Sequence, residues 1–267
     1  MTDTTRRSIT AASVGLVAAS TALQVASLAA LGTGLGRLDA GTVGRHLFST
    51  VEMALVAALV WQGVRIVAWA RESGAPPLVA RAARLCLGSL VLCALGDLVN
   101  RNYLGEAFRW DDVIRHSYLV TSIVWFLPGY AVVVAANRIV TRGAVPARAA
   151  AATGVVAGLV GVVVFASGFD AEVATGASAL ILAYSVTLAV LAGSVLWLGR
   201  AFGWRASAVV VVGCLLAPVA DALIANLWLY RDHFPAIEHV NWIVYFASLA
   251  MIQRLPFLVA DAGGDAR

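Results

Sequence analysis

Lysine is missing altogether: all 19 positive side chains are arginines. Without a lysine amine there is no Schiff-base chemistry, which excludes a retinal-bearing rhodopsin. Charge of either sign is scarce, at 13% of residues against 61% hydrophobic, so the composition is far from that of a soluble globular domain. Cysteine is limited to Cys86, Cys93 and Cys214, which lie in apolar runs without CxxC spacing and read as small buried hydrophobes. No HxxxH or HExxH pair occurs, so neither a metal nor another cofactor is expected. The arginines are scattered among loops and form no basic patch, so a nucleic-acid partner is not expected either.

What the chain does contain is apolar runs, eight of them. They lie at about 10–32, 46–70, 80–99, 116–137, 149–168, 173–198, 206–227 and 239–259, each near the ~20 residues that cross a bilayer. The expectation is an all-α integral membrane protein, with residues 1–267 forming one transmembrane domain. The first run follows Arg6-Arg7 and is read as a retained helix, not a cleaved leader. With the N-terminus inside, 13 arginines fall on the inner side and six on the outer. This places both termini in the cytoplasm and the protein in the cell membrane. Gly154-x-x-x-Gly158, with Gly161 following, marks a helix-packing face.

The chain is organised around two related segments. Gly96–Phe126 (GDLVNRNYLGEAFRWDDVIRHSYLVTSIVWF) joins the third run to the fourth; Ala220–Phe246 (ADALIANLWLYRDHFPAIEHVNWIVYF) joins the seventh to the eighth. Asp97 and Asn102 match Asp221 and Asn226 at the same offset, His116 and His239 open the following runs, and Ile123–Phe126 parallels Ile243–Phe246. Two four-helix halves, about 8–140 and 149–260, therefore read as parallel repeats. A carboxylate at the lipid-buried end of a helix is costly, so two in equivalent places point to a shared task. Glu52 in the second run comes to a similar depth. The three carboxyls are expected to line an internal cleft, with His116, Tyr118, His239, Asn102 and Asn226 near its rim. Low dielectric and neighbouring like charge favour one carboxyl keeping its proton beside one that does not. A proton donor beside a base is what cleavage of an acid-labile bond requires.

Each residue also has a plainer reading. An intramembrane aspartate can be a hydrogen-bond hub, and a histidine at a helix start is often only an interface anchor. Tyr118, Trp125, Trp242 and Tyr245 have the positions of ordinary core or interface aromatics as well as of ligand contacts. Arg101 and Arg109 read as outer-loop charges, within reach of a lipid head group.

These segments resemble the YhhN-type lysoplasmalogenase family of eight-helix membrane enzymes. Gly96-Asp97 is similar to its first motif, His116-Ser117-Tyr118 to the opening of its fourth helix, and Ala220-Asp221 with Tyr245 to its second motif and the tyrosine of the last helix. The resemblance implies hydrolysis of the vinyl-ether bond of a lysolipid, with Asp97 and Asp221 as the catalytic acids. The family's Lys-Pro pair at the second helix is replaced here by a stretch containing Glu52, and Ala220 stands where Ser or Gly is usual.

The expected function is therefore membrane-embedded, carboxylate-driven hydrolysis of a lipid or other hydrophobic small molecule. Two alternatives use the same residues. A terpene cyclase would protonate an olefin or epoxide from Glu52, Asp97 or Asp221 between the rings of Trp125, Trp242 and Tyr245. A ligand-sensing or transport module would use the paired acidic motifs without chemistry; Pro128 and Pro218 hint at broken helices of the kind that transport needs.

Overall fold

The computed structural model describes residues 2–32, 41–103, 117–168, 175–225 and 236–264. Among these the chain forms ten α-helices and no strand: α1 (Thr2–Gly32), α2 (Gly41–Glu72), α3 (Pro77–Arg101), α4 (Ser117–Thr141), α5 (Ala147–Ser167), α6 (Thr175–Gly193), α7 (Val195–Phe202), α8 (Trp204–Ile224), α9 (Ile237–Ile252) and α10 (Leu255–Gly264). The pairs α6–α7 and α9–α10 each share one span, so eight stretches are long and apolar enough to cross a membrane. Eight such stretches suggest a multi-pass membrane protein. Each of the eight apolar runs coincides with one of these spans.

Local chemistry explains the interruptions. Pro76-Pro77 opens α3 and Pro146 precedes α5, where a missing N–H costs nothing. Between α6 and α7 the Ser194 hydroxyl donates to the Leu191 carbonyl at 2.6 Å, competing with the helical ladder. Pro256 removes a donor where α9 gives way to α10. Pro128 and Pro218, by contrast, sit inside α4 and α8 without ending them.

Sequential helices pack as neighbours: α1 on α2, α2 on α3 and α3 on α4, then α5 on α6, α6 on α8 and α8 on α9. Contacts of α1 with α9, α4 with α6 and α10 with α3 join the two groups. Arg6 of α1 also donates to Asp261 of α10 at 2.6 Å, tying the first helix to the last. The core lies where these helices converge and includes Leu90, Tyr130, Leu198, Phe246 and Phe257, all essentially inaccessible.

Helix α5 is peripheral. It buries only Ala150 and Gly161 and turns a series of valines outward. Gly161 is needed for its close approach to α6, because a Cβ there would lie 2.7 Å from the Val186 Cα. Gly158 has looser contact with Val186, and Gly154 faces open space. The packing face of the glycine series is therefore centred on Gly161, one turn beyond the GxxxG pair.

Candidate functional site

Asp97 lies one turn before the end of α3 and Asp221 in the last turn of α8. Asp97 is 2% exposed, and its Oδ2 accepts a hydrogen bond of 2.8 Å from the Tyr245 hydroxyl on α9. The preceding glycine has a steric role: a Cβ on Gly96 would lie 2.8 Å from the Phe126 ring. Phe126 in turn meets Tyr245 edge-on, with ring centroids 6.0 Å apart. Asp97 is thus enclosed by a phenol and a phenyl ring contributed by two other helices.

Asp221 has a different setting. It lines a cavity of about 430 Å³ between α4, α5, α6 and α8, together with Asn100, Ser122, Phe126 and Tyr184. Its Oδ2 is buried without a hydrogen-bond partner, as are the Tyr130 and Tyr184 hydroxyls and the Asn100 Oδ1. Both phenols face the Asp221 carboxyl without completing hydrogen-bond geometry. The two aspartates are near enough for the charge of Asp221 to act on Asp97. They do not, however, share this cavity: Asp221 lines it, Asp97 and Glu52 do not, and Phe126 forms its wall on that side.

Glu52 belongs to a third arrangement. It is 1% exposed, forms an ion pair with Arg101, and accepts from the Gln24 amide at 2.7 Å. The Gln24 carbonyl oxygen lies 2.7 Å from His239 Nδ1, and the Ser27 hydroxyl 3.1 Å from Nε2. Since Gln24 donates its amide to Glu52, its oxygen is the acceptor, which puts the histidine proton on Nδ1 and leaves Nε2 to accept from Ser27. Arg101 also lies over the Trp242 ring, 4.4 Å from its centroid, and Trp242 donates to Ser20 at 3.1 Å. A chain of polar groups thus crosses the bundle from α9 through α1 and α2 to α3. A carboxylate and a guanidinium can be held there because each offsets the other's charge.

The residues singled out in the sequence fall into distinct places. Glu52, Asp97, Trp242 and Tyr245 are buried and close to one another, with Arg101 at their centre. His239, expected at a rim, is instead wholly enclosed, with Phe48 edge-on to its ring at 5.8 Å. Asn102 caps α3 in the left-handed conformation (φ 41°), where asparagine is tolerated, and its N–H donates to the Val99 carbonyl. Trp125 is 38% exposed on the outside of α4, whereas the next residue, Phe126, turns inward. His116 and Asn226 lie outside the described residues, as does the side chain of Tyr118.

Five participants were not assigned to the site from the sequence: Gln24, Asn100, Arg101, Tyr130 and Tyr184. Arg101 carried a usable signal, because it follows Asp97 by four residues and so shares its helix face. Gln24 had the signal of being a lone polar residue amid an apolar span. Among the described residues, no three His, Cys, Asp or Glu side chains converge in a metal-binding arrangement. No protein-family model, curated protein or solved structure matches the chain, so the family resemblance rests on its short motifs alone.

Proposed function

We propose that this protein is a membrane-embedded hydrolase that cleaves the vinyl-ether bond of a lysolipid by carboxylate acid/base catalysis, in the manner of the lysoplasmalogenases it resembles. The observation that carries this reading is Asp221 Oδ2, buried and unpartnered at the wall of a largely apolar cavity. A proton donor there meets an alkenyl chain with no water needed between them. Asp221 protonates the vinyl carbon remote from oxygen, which leaves an oxocarbenium ion at the carbon bonded to oxygen. Water adds to that carbon and gives up a proton to the second carboxyl, Asp97. The resulting hemiacetal then collapses to a fatty aldehyde and the free alcohol of the head-group fragment. Because Phe126 walls the cavity toward Asp97, the base role requires that ring to turn aside.

The arginine distribution supports a cell-membrane location with both termini in the cytoplasm. The two matched segments support a pair of parallel four-helix repeats. One observation favours a second reading. Phe126, Phe165 and Tyr184 give the cavity aromatic walls suited to a carbocation, as a terpene cyclase would need.

The test is aldehyde release from a lysoplasmalogen by the purified protein, with Asp97→Asn and Asp221→Asn as variants. Wild-type turnover that falls in both variants is the expected result. An inactive wild type, or two fully active variants, overturns the proposal, and cyclic products from an isoprenoid substrate would establish the second reading.

A further inference from the structure

The cavity is open on one side, and the residues at its opening show what lies outside. Val160 and Val164 on α5 and Val219 on α8 line the cavity, yet they are 53%, 56% and 48% exposed. Side chains that are both lining and exposed mark a mouth. All three are aliphatic and lie within the spans Ala147–Ser167 and Trp204–Ile224, which are long and apolar enough to cross a membrane, so the mouth suits acyl chains better than water. Helix α5 leans on α6 and makes no comparable contact with α8, which leaves the gap between them unfilled.

The polar groups are arranged unevenly. Asn100, with its unpartnered buried Oδ1, stands at the end of the cavity where α3 terminates, near Ser167 and Gly168. Leu188, Ala189 and Val160 line the opposite, apolar end, and Asp221 and Tyr184 lie between the two. Along α5 the lining extends from Val160 to Gly168, about 12 Å of helix axis. That is a slot for one chain with a polar end, since 430 Å³ is near the lower limit of ligand pockets.

We propose that a single-chain amphiphile enters this cavity sideways from the bilayer between α5 and α8. Its chain passes Val160, Val164 and Val219, and its polar end comes to rest at Asn100. This route rests on the preceding reading for its chemistry, but its binding step does not need hydrolysis.

The probe is a lysophospholipid with one saturated alkyl-ether chain bearing a nitroxide, which has no vinyl ether to cleave. Binding to the purified protein is followed by electron paramagnetic resonance, with a diacyl phospholipid carrying the same label for comparison. A saturable immobilised component for the single-chain probe alone is expected. Val164→Trp and Val219→Trp should each weaken it about tenfold, the effect of displacing roughly two methylenes. Val155→Trp, exposed on the opposite face of α5, should leave binding unchanged. Absence of a saturable component, equal binding of the diacyl lipid, or full binding by Val164→Trp and Val219→Trp overturns the route. Probe binding by a protein that releases no aldehyde would sink the hydrolase alone. Aldehyde release insensitive to both tryptophans would sink the route alone.

Discussion

The hydroxyl of Tyr245 donates to Asp97 Oδ2 at 2.8 Å, joining α9 to α3 across 148 residues of chain. Tyr245→Phe keeps the ring in its contacts with Phe126 and Trp242 but leaves a buried carboxyl without that donor. The expected loss is about 1–3 kcal/mol, read as a lower melting temperature in detergent. A variant that melts with the wild type would show that the bond contributes nothing to the fold.

Glu52 and Arg101 should behave as a unit. Removing one partner takes the paired opposite charge away from the other buried group, so Glu52→Leu and Arg101→Met should each cost about 3–5 kcal/mol. The double variant should regain a large part of that loss, because neither member of the pair is then left without the other. Thermal unfolding of the four proteins completes the cycle, and strictly additive losses would rule out the coupling.

Two glycines on α5 should give opposite results. Gly161→Leu forces a side chain into the Val186 backbone and should destabilise the α5–α6 pair by about 1–3 kcal/mol. Gly154→Leu meets nothing within 4 Å and should be neutral. A melting curve separates the two, and equal behaviour would misplace the packing face.

Thiol reagents offer a check on the core. Cys86, Cys93 and Cys214 are free and buried, so a polar maleimide should add no mass to the folded protein and up to three labels after denaturation. Labelling before unfolding would put at least one of these helices in a different rotation.

The spans were legible because some twenty consecutive apolar residues leave few other readings, and the helices found correspond to those runs. The inward placement of Asp97 and of the Asp221 Oδ2 atom was legible from the cost of placing a carboxyl in an apolar span. What sequence reading could not supply was the partners. Arg101 reads as a loop charge when α3 is ended at residue 99. The helix continues to Arg101 before Asn102 caps it, and that extra half turn brings the guanidinium beside Glu52. Gln24 and His239 are bonded at a separation of 215 residues, a distance at which no local pattern carries information. The separation of the two aspartates into an enclosed site and an open cavity was equally invisible. It depends on the inward turn of one phenyl ring, Phe126, where a neighbouring tryptophan had looked the better candidate.

The Gln24–His239 bond has a consequence for how the chain is made. At roughly 5–20 residues per second of synthesis, α1 waits on the order of 10–40 s for its partner on α9 to emerge. During that interval the first two helices hold a glutamine and a glutamate in apolar spans, and the hydrogen bond between those two side chains joins α1 to α2. A nascent chain lacking Gln24 would be without that bond to Glu52 before either Arg101 or the last span had been translated. The defect would therefore appear as failed insertion and degradation in the cell, more than as a lower melting point of whatever protein survives.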